Sequence, residues 1–426
     1  MGEISDIEQP KTKVKITTTG NGYRFEFING IQVEVSRINE STRAGTTTAE
    51  LFITSALPAT PQRVYQDRLN LTSASSKRTL RQELEKRIEG DFWQDILEVT
   101  CSKTLEMHRQ GEPVEEISTE DEITRPEYLL HPLLMQNHPT VIYGLKGTAK
   151  SLVGLLCGII IQLPMPHNPL NMRPLDTTVP VFYLDYETDK NEYSWRLKCL
   201  EMAMRFGYLA IQYRRCSTPL VDDIEQIHRI VNEKRIGLVI VDSLGPACGG
   251  ADLNTSEPAI RYYNALRSLK VTTLTLAHTS KNPLSKETSI YGTVFFTNLA
   301  RSIWELKKEQ EHDDNYLEVG LYHRRCNYSK LFKPMGFRID FAEDTIAVKR
   351  DDDNVVLQAN RTNPEKILHC LLNNGAMTTP ELVAETDITE NTLRVTLSRL
   401  KKNGKLTQLG DKKWGVLIQD QYLSTL

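Results

Sequence analysis

No CxxC pair occurs in this chain, and its seven cysteines (Cys101, Cys157, Cys199, Cys216, Cys248, Cys326, Cys370) are scattered and odd in number. That spacing argues against a zinc site or a disulfide framework and for reduced thiols. Long apolar runs are also missing. The longest, Leu152 to Leu163, is too short to span a bilayer and suits a buried helix. No basic excess is present: the formal charge is -3, so any nucleic-acid contact must come from local patches. Met1 to Asp6 is polar and acidic, without the look of a secretory signal, which leads us to expect a cytoplasmic protein with no membrane partner.

What is there divides into three. "KVKITTTG", "YRFEFING", "IQVEVSRI" and "AELFITS" alternate apolar and polar residues, with Gly-Asn-Gly at 20–22 and Asn-Gly at 29–30 between them. Period-two alternation broken by such turns predicts antiparallel strands. After Ser73 the pattern turns helical as far as Gln110, giving an N-terminal α+β domain over 1–112 with no catalytic constellation. An acidic, polar stretch at 110–125 reads as a linker. Apolar runs at 140–143, 181–184, 237–241 and 271–277, separated by helical stretches, then predict an α/β domain with a parallel sheet over 125–350. A third domain is expected over 360–426.

The middle segment carries chemistry. "YGLKGTAKSL" places Gly144, Lys150 and Ser151 in the register of a phosphate-binding loop, with Ala149 where the last glycine is usual. "TVIYG" before it reads as a strand and "KSLVGLLCGIII" after it as a helix, the context such a loop requires. Backbone amides of Gly144, Gly147, Thr148, Ala149 and Lys150 would face phosphate oxygens, helped by the helix dipole. Lys150 would neutralise the β- and γ-phosphates of ATP, and Ser151 would ligate Mg2+. Ala149 is tolerable if the backbone there needs no positive φ. "RIGLVIVDSLGP" ends a strand in Asp242, the usual place for a carboxylate that holds magnesium through water. "VPVFYLDYET" ends one with Asp185 and Glu187, and Glu187 could orient the attacking water as general base.

"GLKGTAKS", "FYLDYET", "WRL", "VIVDSL" and "LAHTSKN", followed by "GTVFFTNLARSIWEL", together resemble the RecA-like hexameric helicases, most closely the plasmid replicative helicase RepA and its relatives. The "GTAKS" wording is also similar to that of the minichromosome-maintenance helicases. The resemblance covers roughly residues 125 to 345. It implies a RecA-like P-loop core, a hexamer ring or filament, and DNA as partner. It also implies Glu187 as catalytic base, His278 as a sensor of the γ-phosphate, and Arg301 as a finger reaching the neighbouring subunit's nucleotide. Lys281 and Arg325 are alternatives for that finger, and Lys146 is a further candidate for phosphate contact.

The C-terminal stretch from Asn363 to Leu417 shows helical apolar spacing three times and then alternation around Gly410-Asp411, which resembles a winged helix-turn-helix. Thr379 and Pro380 read as cap and first position of the second helix. The third helix would enter a DNA groove through Thr392, Arg394, Thr396 and Arg399, while Lys412 and Lys413 would touch phosphates. From Thr389 to Trp414, seven basic side chains face two acidic ones, in a chain that is net acidic. Such folds also serve protein contacts. The expectation is an ATP hydrolase working on DNA as an oligomeric helicase or translocase in replication or repair. The alternative is an ATP-controlled DNA-binding regulator or recombination mediator that does not unwind.

Overall fold

A computed structural model describes residues 13–417 except 20–21, 42–43, 112–113, 115, 120–126, 280–287 and 310–314. Its N-terminal part is a five-stranded antiparallel meander of β1 (Val14–Thr19), β2 (Gly22–Phe27), β3 (Ile31–Ser41), β4 (Thr46–Ser55) and β5 (Arg63–Asn70). Alternation puts Phe25, Val33, Val35, Leu51 and Ile53 on one face, where α1 (Ala74–Arg87) and α2 (Trp93–Gln110) cover them. The helical stretch is therefore two helices. The first starts at Ser73, whose side chain accepts from the Ser76 amide, and the second is anchored by Trp93 Nε1 donating to Ile88 O at 2.8 Å. β5 was not anticipated, because Gln66, Asp67 and Arg68 interrupt its apolar pattern; pairing with β4 decides it.

The middle part is a nine-stranded sheet flanked by helices. In chain order its elements are β6 (Pro139–Gly144), α3 (Lys150–Gln162), β7 (Val181–Asp185), α4 (Lys190–Met204), β8 (Gln212–Arg215), α5 (Leu220–Glu233) and β9 (Leu238–Asp242). They continue with α6 (Ser256–Ser268), β10 (Thr272–His278), β11 (Ser302–Glu309), β12 (Tyr316–Cys326), β13 (Met335–Phe341) and β14 (Ile346–Arg350). Across the sheet the order is β8-β7-β9-β10-β6-β11-β12-β13-β14, the first six parallel and the rest antiparallel.

All four apolar runs read from the sequence are strands here, and β6, β7 and β9 are buried at every residue. Burial on both faces is what removes alternation from such strands. One core joins α3 and α4 to one face of the sheet, and a second joins α5 and α6 to the other. The α/β expectation with a parallel sheet is borne out.

A separate, smaller core is built by α7 (Asn363–Asn374), α8 (Thr379–Thr386), α9 (Glu390–Lys402) and the antiparallel pair β15 (Leu406–Gln408) and β16 (Trp414–Val416). Ile367, Leu371, Leu382, Leu393, Leu397 and Leu400 fill it. The second helix is capped by Thr378, one residue earlier than the sequence suggested, because Glu381 closes a capping box with it.

Candidate active site

Parallel pairing alone brings four distant pieces of sequence to one edge. Asp185 lies opposite Asp242, Asp242 opposite Leu276, and His278 opposite Gly144, so the residues following these strand ends share the sheet's carboxyl edge. The first strand in sequence, β6, sits between β10 and β11, which opens the crevice where ligands of such sheets bind.

The loop after β6 is tightly set. A methyl group added at Gly144 would lie 2.4 Å from Leu306 O and 2.9 Å from Thr148 Oγ1, so the first glycine has no room for a side chain. Thr148 Oγ1 donates to Leu145 O at 3.0 Å. Ala149 has φ 61° and ψ 26°, in the left-handed region, before α3 begins at Lys150. The sequence reading allowed an alanine there only without a positive φ, so this expectation is corrected: the loop imposes a conformation that costs an L-residue roughly 1–2 kcal/mol. α3 supports it, since the Val153 amide donates to Ala149 O at 2.9 Å.

Lys150 is folded back onto the loop, its Nζ donating to Gly144 O at 3.0 Å and Leu145 O at 2.8 Å. Burial lowers its pKa, while the charges of Asp242 and Glu187 act the other way. Asp242 Oδ2 accepts from Tyr183 Oη at 2.9 Å and Tyr193 Oη at 2.5 Å, and the Ser151 hydroxyl is near enough to lower the Asp242 pKa. Desolvation raises the pKa of Asp242, and these hydroxyls oppose the rise.

Asp185 is a structural acid, fully buried. Its Oδ1 accepts the Glu187 and Thr188 amides at 2.8 and 2.9 Å, and its Oδ2 accepts Tyr213 Oη at 2.6 Å. That turn presents Glu187, whose Oε1 accepts from Ser243 Oγ and from His278 Nε2, the latter at 3.1 Å. The His278 hydrogen bond is the main reason the Glu187 pKa falls to about 2, with Ser243 and the Lys150 charge adding to it against burial.

Glu187, His278, Lys150, Ser151 and Asp242 are thus gathered in one place, and Arg301 is not. Its amide donates to Pro139 O at 3.0 Å, at the opposite, amino edge of β6. A strand of that length separates it from the loop by roughly 15 Å. Arg325 shares that edge and donates to Asn298 Oδ1 at 2.8 Å, whereas Lys281 lies outside the described residues. Lys146 is exposed at the loop tip. Sequence reasoning missed Tyr183, Tyr193 and Ser243. Ser243 could have been suspected from its place beside Asp242, but nothing in the spacing marks the tyrosines.

In the C-terminal part, Arg394, Val395, Ser398, Arg399 and Lys402 line a shallow groove on the outer face of α9. Arg394 pairs with Glu390 at 2.6 Å. Thr396 does not belong to that face: it is buried and its Oγ1 donates to Thr392 O at 2.8 Å, because it shares the inward side with Leu393 and Leu400. Lys412 and Lys413 are exposed in the turn between β15 and β16.

Strand order, loop and acids define the class of the middle part: a RecA-like P-loop ATPase core. A family model described as an AAA domain matches residues 103–283, which include the loop, Glu187, Asp242 and His278. Among solved structures, a KaiC-like protein from the hyperthermophilic archaeon Pyrococcus horikoshii matches over 55% of this chain and 99% of its own, with 14% identity and a TM-score of 0.36. A likeness that loose leaves the fold to rest on the strand order and the loop. No curated protein matches the chain. No helix among the described residues is long and apolar enough to cross a membrane.

Proposed function

We propose that this protein is a magnesium-dependent ATPase that acts on DNA as an oligomeric helicase or translocase, in the cytoplasm, in replication or repair. One observation carries the hydrolytic part. Glu187, held ionised by His278 and Ser243, stands on the same edge as Lys150 and the loop amides. A carboxylate so placed can orient water toward a terminal phosphate, while Lys150 leaves its carbonyl partners for the β- and γ-oxygens.

The donor set suits magnesium. The Ser151 hydroxyl lies near enough to the Asp242 carboxylate to lower its pKa, and among the described residues no cluster of three His, Cys, Asp or Glu offers a competing metal cage. When bound with nucleotide, the ion would neutralise charge between the phosphates, held by Ser151 and, through water, by Asp242.

The chain is read as an N-terminal domain over 1–112, the ATPase core over 125–350 and a winged helix-turn-helix over 360–426. Arg301, remote from the site of its own chain, suits a finger for a neighbour's nucleotide in a ring or filament. Arg394, Arg399, Lys412 and Lys413 are the DNA contacts in this reading, the first two on an exposed helix face and the others on the wing. That same groove-lining face favours a second reading, an ATP-controlled duplex-binding regulator or recombination mediator without unwinding.

ATPase rate and particle mass, with and without single-stranded DNA, test the first reading. Lys150→Ala should abolish turnover, and Arg301→Ala should abolish turnover while nucleotide still binds. An Arg301→Ala protein as active as wild type removes the finger. Sequence-specific duplex binding without strand displacement selects the second reading.

A further inference from the structure

β11 runs beyond the end of its neighbour. Its pairing with β6 carries Glu305 opposite Tyr143, and the strand then continues through Leu306, Lys307, Lys308 and Glu309 alongside the phosphate loop. Pleating sends alternate side chains to opposite faces. Trp304 and Leu306 enter the core beneath α3, so Lys308 projects on the α3 side, where the loop lies. Lys307 takes the other face, donating to Asn360 Oδ1 at 2.9 Å and lying over the Tyr322 ring.

The loop confirms how near Lys308 comes. A methyl group added at Gly147, which has φ 76°, would lie 3.4 Å from Lys308 Nζ, the one atom within 4 Å among the described residues beyond its chain neighbours. Lys308 is half-buried and forms no ion pair among the described residues. An ammonium group in that position, beside Gly147 of the phosphate loop and without an ion-pair partner among the described residues, calls for an anion.

We infer that Lys308 is a second cation of the phosphate site, supplied by the same chain and contacting the terminal phosphate of ATP over Gly147. This rests on the reading of the loop as a nucleotide site. Lys150 approaches the phosphates from the start of α3, and Lys308 approaches from β11 on the other side of β6. The two clasp the triphosphate end from within one chain. A contact to the outermost phosphate is present for ATP and absent for ADP, so Lys308 also sets the preference between them.

Calorimetry on the full chain with ADP and with a non-cleavable ATP analogue, in magnesium, tests this on wild type, Lys308→Gln and Lys308→Arg. Loss of one charged contact should weaken the ATP analogue by about ten-fold for Lys308→Gln, leave ADP little changed, and be recovered in part by Lys308→Arg. A thermal melt of each variant checks that it is folded. If wild type binds both nucleotides and Lys308→Gln either matches it or loses both equally, Lys308 does not contact the terminal phosphate and the loop assignment stands. If wild type binds neither, the loop assignment falls and takes this inference with it.

Discussion

Glu187 Oε1 accepts a hydrogen bond from His278 Nε2 at 3.1 Å, across β9, from a residue 91 positions away in the chain. The pair exists because Asp185, Asp242 and Leu276 lie level across β7, β9 and β10, so that Glu187 and His278 each stand two residues beyond that level on either side of β9. It keeps one carboxylate ionised on an edge where a second, Asp242, is pushed toward neutrality by burial.

That pair predicts a pH effect. A hydrogen bond to the ionised carboxylate favours it, so the Glu187 pKa is depressed to about 2 and the stability it contributes is present above the ordinary carboxylate range and lost as pH falls toward that value. His278→Ala removes the main cause. The acid limb of the ATPase profile should then move to higher pH, toward the ordinary glutamate value of about 4.3. Superimposable acid limbs for the two proteins would show that His278 does not tune Glu187.

Ala149 predicts a stabilising substitution. Glycine adopts its positive φ without the steric penalty, although it gives up more entropy on folding. Ala149→Gly should gain about 0.5–1 kcal/mol in urea unfolding, with nucleotide binding retained. A loss of stability would mean that Ala149 is not left-handed in solution.

Gly144 predicts the reverse. Its replacement by alanine drives a methyl into Leu306 O, a backbone atom that cannot swing aside. Gly144→Ala should cost about 1–3 kcal/mol and weaken ATP binding by displacing the loop. Unchanged melting and unchanged affinity together would refute the close approach of β11 to the loop.

Tyr193 holds a buried acid from outside the loop. Tyr193→Phe leaves Asp242 Oδ2 with Tyr183 as its remaining phenol donor and should cost about 1–2 kcal/mol in unfolding free energy. Were the variant as stable as wild type, the phenol would contribute nothing to holding Asp242.

The order of motifs along the chain was legible because it obeys local rules. Four apolar runs mark strands that are buried on both faces, and Gly144, Lys150 and Ser151 keep a spacing that one strand-loop-helix unit imposes. Alternation at 13–55 likewise fixes a sheet with one covered face. β5 escaped because its polar middle is stabilised by hydrogen bonds to β4 rather than by burial. Thr396 was misjudged because residue type says nothing of which side of a helix faces inward, whereas its distance from Leu393 and Leu400 does.

By itself, then, the sequence determined the local units and the residue types that chemistry at a triphosphate requires. Only the tertiary structure decided which of them meet. The order of parallel strands aligned Glu187, Asp242 and His278, while the direction of β11 put Arg301 at the far edge and Lys308 beside Gly147. Spacing along a chain cannot carry that information, because neighbours in a parallel sheet are set by hydrogen bonds between strands separated by whole helices.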